Sequence, residues 1–289
     1  MSLIDISADF FDASALTFES PPARQPVNNA SDRGLRAGLR MSWRISRLAV
    51  HLADGCARVA LIYPLVSART QRKIKAQWSR RLLRVLGVDL QAGGPLPRPG
   101  QLLVSNHISW VDVFVINAIS PLGFVCKDEI RSWPVLGWLV ARNETVFIRR
   151  TSRNSAAEVR NTLVSALSCG RSVMVFPEGT TTDGRSVLPF RAAMFQAAID
   201  AGRAVKPVRL RYLDAHGELS EAALYIGDTT FWQSVCRLAR APRTVAQVEL
   251  LPSLPTHGHT RQHLARTTHA TVSGLEVPAA AHDPAEPGN

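Results

Sequence analysis

LLVSNHISWVDVFVINAI, residues 102–119, changes its hydrophobic period part-way through. LLVS (102–105) is a short apolar run of the kind that forms a buried strand. From about residue 110 to 119 the pattern becomes helical. Between them lie a histidine, His107, and an aspartate, Asp112, in apolar company. Buried polar side chains without partners are costly, so the two are expected to face each other or a site. Residues five apart are about 140° apart around one helix. They meet only if His107 sits in the loop after the strand and Asp112 in the first turns of the helix.

The alternation continues outward. GFVC (123–126), TVFI (145–148) and SVMVF (172–176) read as strands, with helices over about 152–168 and 191–201. AVKPVRLRY (204–212) reads as a strand with Pro207 at its start or on a sheet edge. ALYIG (222–226) and VAQVELL (245–251) follow as strands, with a helix near 229–240 between them. Alternating strands and helices imply an α/β fold with a mixed, partly parallel sheet flanked by helices.

Before this pattern stands a basic, apolar block. From Arg33 to Arg84 the single acidic residue is Asp54, against a net charge of +11 for the 289-residue chain. Such a block seeks a polyanion: nucleic acid, an anionic lipid surface or an acidic carrier protein. WRISRLAVHLADGCARVALIYPLV (43–66) is interrupted by His51, Asp54 and Arg58 and broken by Pro64. A spanning helix needs ~20 mainly apolar residues. The segment reads as an N-terminal amphipathic helical membrane-contacting segment, lying on the bilayer more than crossing it. The competing account is an amphipathic helix packed on the domain with solvated arginines.

The expected organisation is therefore a flexible lead over 1–35 and a basic membrane-associating helical region over 36–91. A catalytic α/β domain over 92–255 and a disordered tail over 256–289 complete it. Acidic residues Asp5, Asp9, Asp12 and Glu19 in the opening segment argue against a secretory signal there. Four widely spaced cysteines, with no CxxC pair, point to neither a zinc site nor a disulfide framework.

A carboxylate that accepts from one imidazole nitrogen fixes the tautomer and leaves the other free to take a proton. That makes His107 a candidate general base. Ser105 and Ser109 are nearby hydroxyls, but neither lies in a G-x-S-x-G elbow, so a substrate hydroxyl is preferred as the nucleophile. Asn106, Ser109 and Asp112 are equally residues that cap a helix start. FPEGTTTDG (176–184) ends a strand and offers backbone N–H groups and hydroxyls to an anion. Glu178 there is placed to bind substrate hydroxyls or a basic group. VFIRR (146–150) ends another strand in Arg149 and Arg150, suited to phosphate or carboxylate. Open α/β sheets bind ligands at such strand ends.

Taken together these motifs resemble the 1-acylglycerol-3-phosphate acyltransferase family over about residues 100–212. NHISWVD matches its N-H-x4-D box, VFIRR its second block, FPEGTTTDG its third, and VKPVRL its fourth, with the proline at Pro207. The resemblance implies an acyltransferase that moves a fatty acyl group from acyl-CoA or acyl-carrier protein to the hydroxyl of a lysolipid. It implies His107 as base and Asp112 as its orienting partner. Arg150, Glu178, Gly179 and Thr180 would hold the acceptor. Neither a cofactor nor a metal is implied, and the expected place of work is the cytoplasmic face of the inner membrane. The third block commonly continues F-P-E-G-T-R; here Thr181 replaces the basic residue. F-P-E-G-T-T is similar to the branch that acylates lyso-ornithine lipid, whose head group is an amino acid. Lysophosphatidate is the first expectation and lyso-ornithine lipid the alternative. A basic nucleic-acid-binding protein is the alternative of another class. It lacks interleaved aromatics, which are 7% of the chain.

Overall fold

The computed structural model describes residues 30–127, 132, 137–138, 142, 146–148 and 155–275. Among these, seven strands form one sheet: β1 (Val88–Gly93), β2 (Leu102–Ser105), β3 (Gly123–Lys127), β4 (Val146–Ile148), β5 (Val173–Val175), β6 (Val205–Leu213) and β7 (Thr244–Leu250). Their order is β1-β7-β6-β2-β5-β3-β4. All neighbours are parallel except β6 and β7, which makes the sheet mixed, as the α/β pattern implied.

Helices cover both faces, and the alternation along β2 explains why. Leu103 points to one core with Val208, Leu210 and Tyr212 of β6. That layer contains helices α2 (Ala68–Leu86), α3 (Asp112–Ile119) and, further along the chain, a helix over Phe231–Arg240. Leu102 and Val104 point to the other core, with Val173 and Val175 of β5. There they meet α4 (Ser155–Ser168), the short α5 (Gln196–Asp200) and a C-terminal helix over Arg261–Ser273. Period-2 strands that bury both sides need a helical layer on each. In chain order the last two helices are α6 and α7.

The N-terminal helix α1 (Ala30–Ala57) runs on through a π-turn (Arg58–Ile62) and a 3-10 turn (Tyr63–Leu65). Pro64 then ends it, so the two helical pieces divide where the sequence places them. Gly34–Leu65 is long and apolar enough to cross a membrane by length and composition. Its inner side is nevertheless docked. The Arg44 guanidinium donates to the carbonyls of Ala239, Ala241 and Pro242 at 3.3, 2.6 and 3.2 Å, covering the C-terminal end of α6. His51 stacks on Trp78 of α2 at 4.4 Å. Trp78 Nε1 donates to the His51 carbonyl, and His51 Nε2 bonds the Trp78 carbonyl. The outer side carries exposed Leu35, Leu39, Trp43, Val50, Leu61 and Leu65.

Five expectations are corrected. The lead over 1–35 is helical from Ala30. The helical region over 36–91 ends at Leu86, where Gly87 takes a left-handed φ of 78°. β1 follows at once and pairs with β7. The tail over 256–289 is not disordered throughout: Thr260 caps α7, which buries Leu264, Ala265, Thr268 and Val272 on one face. Its polar, histidine-bearing outer surface concealed that stripe. Pro207 lies inside the sheet, between β2 and β7. Its missing N–H costs little there, because the β6–β7 ladder begins one residue later at Val208. Leu251 N–H still donates to the Pro207 carbonyl, 3.0 Å. The strand expected over 222–226 is instead a 3-10 turn (Glu221–Ala223) and loop, since both edges of β6 are already paired.

Candidate active site

β2 ends at Ser105, and the chain leaves the sheet through Asn106 and His107. Asn106 steers that exit. Its side-chain amide donates to the Leu210 carbonyl at 3.0 Å and accepts from Leu210 N–H at 2.8 Å. It thus pairs with β6 as a strand residue would, and does not cap a helix. His107 Nδ1 donates to Asp112 Oδ2 at 2.8 Å. The imidazole is 22% exposed and the aspartate fully buried. Asp112 opens α3, and the same Oδ2 accepts from the backbone N–H of Ile108 (2.8 Å) and Ser109 (3.0 Å). The carboxylate thus organises the loop before α3 and orients the histidine, while no side chain caps the N-terminus of α3 itself. Tyr212 on β6 donates to the other oxygen, Oδ1, at 2.7 Å. A buried carboxylate needs such partners on both oxygens.

The ring of Phe176 stacks on His107 at 4.0 Å between centroids and 14° between planes. Sandwiched on one side and tied at Nδ1, the imidazole presents Nε2. Burial, then the Asp112 charge and the bond to it, push the Tyr212 phenol well above its ordinary value. It therefore stays a donor across the working pH range.

β5 delivers the second half of the site. Phe176 follows it, and the turn 176–184 wraps over the His107 loop. Thr182 N–H donates to the His107 carbonyl at 2.8 Å. Glu178 is 4% exposed. Its Oε1 accepts from His107 N–H at 2.7 Å and its Oε2 from Leu188 N–H at 2.8 Å. Burial raises the Glu178 carboxyl, and these two backbone donors partly offset that. The expectation that Glu178 contacts the acceptor is corrected: it is an internal brace between two loops. Gly179 has a φ of 76°, a left-handed conformation that suits glycine. Thr180 is exposed on the rim. The Thr181 hydroxyl donates to the Tyr225 carbonyl.

Ser105 and Ser109 are fully buried and turn to Asn106 and to the α3 start, so neither is presented as a nucleophile. Arg149 and Arg150 lie outside the described residues. Tyr212 was not singled out in the sequence, Asn106 was read only as a helix cap, and Phe176 only as the end of a strand. Alternation along β6 places Tyr212 inward, but nothing local ties it to Asp112. Among the described residues no cluster of histidine, cysteine, aspartate and glutamate is arranged to hold a metal.

The strand ends of a mixed α/β sheet thus present a histidine tied at Nδ1 to a buried aspartate, with its other nitrogen open to take a proton. The Acyltransferase family pattern matches residues 88–211. The chain is 36% identical over 242 residues to the lyso-ornithine lipid O-acyltransferase of Pseudomonas aeruginosa, covering 82% of this chain and 93% of that protein. It is 33% identical over 269 residues to the lyso-ornithine lipid O-acyltransferase of Rhodobacter capsulatus, covering 89% and 95%. It is 41% identical over 161 residues to the 1-acyl-sn-glycerol-3-phosphate acyltransferase of Neisseria meningitidis, covering 54% and 63%. The crystal structure of the 1-acyl-sn-glycerophosphate acyltransferase PlsC from Thermotoga maritima shares the fold. Its TM-score is 0.63 at 20% identity, over 84% of this chain and 95% of that one. The chain belongs to the Acyltransferase family and is an acyltransferase. The reading as a nucleic-acid-binding protein gives way to that membership.

Proposed function

We propose that this acyltransferase moves a fatty acyl group from the thioester of acyl-CoA or acyl-carrier protein to the hydroxyl of lyso-ornithine lipid. The observation that carries the acceptor is the near-full-length match to two lyso-ornithine lipid O-acyltransferases, over 93% and 95% of their lengths. Thr181, in place of the usual basic residue, supports the same branch. Lysophosphatidate, the first expectation from the sequence, becomes the second reading. The 41% identity to the Neisseria enzyme favours it.

His107 Nε2 takes the proton of the acceptor hydroxyl as its oxygen attacks the thioester carbonyl. Asp112 holds the imidazole in the tautomer that leaves Nε2 open and stabilises the imidazolium that forms. The tetrahedral intermediate collapses, the C–S bond breaks, and the thiolate leaving group receives the proton from His107. General base catalysis contributes about 10²–10⁴-fold, and holding both substrates supplies much of the rest. Arg150, Gly179 and Thr180 are assigned to the acceptor.

The enzyme works on the cytoplasmic face of the inner membrane. The exposed apolar stripe of α1 dips into the bilayer, and the basic residues of α1 and α2 meet anionic head groups, at about 1 kcal/mol each. The test is acyl transfer by membranes containing the expressed protein. Labelled acyl-CoA and acyl-carrier protein are each offered with lyso-ornithine lipid and with lysophosphatidate, beside His107→Ala. Transfer to lyso-ornithine lipid that disappears in His107→Ala supports the whole reading. Transfer to lysophosphatidate alone moves the enzyme to the second reading. Transfer that survives His107→Ala overturns the mechanism.

A further inference from the structure

The turn that lacks its usual arginine at 181 has another one lying on it. The Arg191 guanidinium packs flat against Gly179. A Cβ built on that glycine would meet Arg191 Cζ at 2.8 Å and Nε at 3.0 Å. The glycine is thus needed twice, for its φ of 76° and for the seat it leaves. The main chain holds Arg191 to the same turn: its N–H donates to the Pro177 carbonyl at 3.1 Å. Three residues earlier, Leu188 N–H is bound by Glu178, which also binds His107 N–H. Phe190 beside it is buried in the second core. Arg191 is therefore held by its backbone and its neighbour against the turn that begins at Phe176, whose ring covers His107.

Arg191 is nevertheless an exposed residue. Among the described residues its side chain makes neither a hydrogen bond nor an ion pair. The nearby Arg185 differs, being 3.6 Å from Asp183. The Thr181 hydroxyl, meanwhile, turns away to the Tyr225 carbonyl. The position that lost its charge is a strut, and the charge enters from the returning segment instead.

We infer that Arg191, seated on this turn, binds the acid group of the acceptor's head group, a carboxylate or a phosphate. A planar guanidinium fixed at its base is preorganised for two parallel hydrogen bonds to either oxyacid. This inference rests on the reading that the acceptor is an acidic lysolipid. It assigns the determinant within that site to a residue outside the four motif blocks read in the sequence.

The test uses the full-length protein in detergent–lipid micelles. Binding is followed by tryptophan fluorescence for lyso-ornithine lipid, its methyl ester, lysophosphatidate and neutral lysophosphatidylcholine. Acyl transfer to the two acidic lipids is measured in parallel. Arg191→Gln, Arg191→Lys and, as control, Arg185→Gln are compared with wild type. Loss of a charge-assisted contact is expected to raise the acceptor KM and Kd roughly tenfold or more. The change in kcat should stay within about threefold, the donor KM should hold, and Arg191→Lys should recover part of the loss. Wild type should prefer lyso-ornithine lipid to its methyl ester, and Arg191→Gln should not. Arg185→Gln should behave as wild type.

Acidic lysolipids bound equally by wild type and Arg191→Gln would overturn the inference. So would a fall in kcat with the acceptor KM unchanged, which marks a positioning role. If wild type acylates only lysophosphatidate, the lyso-ornithine reading fails and Arg191 is judged on that lipid. If it acylates neither, the proposed function fails and the binding arm still judges Arg191.

Discussion

Tyr212 Oη donates a 2.7 Å hydrogen bond to Oδ1 of Asp112, across 100 residues of chain. The bond ties the middle of the sheet to the first turn of α3 and completes the shell around a buried carboxylate. Tyr212→Phe removes one donor and leaves three on the other oxygen. The protein should fold, lose about 1–3 kcal/mol of stability, and lose several-fold in kcat. Thermal unfolding beside steady-state kinetics checks this, and an unchanged kcat would make Tyr212 a packing residue only.

Asp112→Asn should lower kcat far more than it lowers the melting temperature. The amide fits the space and its oxygen can accept where Oδ2 did, but it carries no charge to stabilise the imidazolium that forms. Asp112→Ala is the poorer test, since it also strands the N–H groups of Ile108 and Ser109. Ser105→Ala and Ser109→Ala should keep kcat within a few-fold. A dead Ser109→Ala enzyme that is still folded would revive a covalent mechanism.

Glu178→Gln should destabilise the His107 loop. Each carboxylate oxygen accepts from a backbone N–H, and an amide turns one acceptor into a donor facing a donor. The cost of one such buried mismatch is about 1–3 kcal/mol. Both stability and kcat should fall, with the acceptor KM little changed. A rise in KM alone would return Glu178 to the acceptor-binding role first expected of it.

Lys206 is 1% exposed within the sheet, beside Leu103 of β2. Among the described residues it has neither an ion pair nor a hydrogen bond. Burial lowers its amine below the ordinary lysine value. The unfolded chain therefore binds the extra proton in the window between the lowered folded value and the ordinary one, about 10.4. Stability should rise with pH through that window. Lys206→Met should flatten this slope and stabilise the protein at neutral pH by about 1–3 kcal/mol. Melting temperatures from pH 6 to 10 decide it, and equal slopes in both proteins would refute the account.

Trp43 is 65% exposed on the outer face of α1, while Arg44 beside it is anchored to α6. Trp43→Ser with Leu39→Ser should reduce sedimentation with anionic liposomes several-fold and leave the melting temperature unchanged. Binding should fall with salt, because exposed basic residues contribute. Equal binding to neutral vesicles at all salt concentrations would remove the electrostatic part.

Much of the sheet was legible from alternation and length. LLVS coincides with β2, and the strands expected near 123, 145, 172, 204 and 245 each start within a residue of those observed. β1 was hidden because VDLQAG follows α2 after one glycine and carries polar Asp89 and Gln91. α7 was hidden because a polar surface dominates its composition. Both gain their structure from a partner, β7 in one case and the second core in the other, and a partner distant in sequence leaves no local trace.

For the site, local sequence determined that His107 follows a strand and Asp112 begins a helix, and the spacing then requires them to meet at the loop. Motif order carried the family and the acyl-transfer chemistry. Tertiary structure alone decided that Glu178 braces the His107 loop, that Tyr212 completes the aspartate, and that Arg191 lies on Gly179. The reason is physical. A helix or strand is set by neighbours three or four residues away, but a buried carboxylate takes its donors from whichever backbone the sheet order brings alongside.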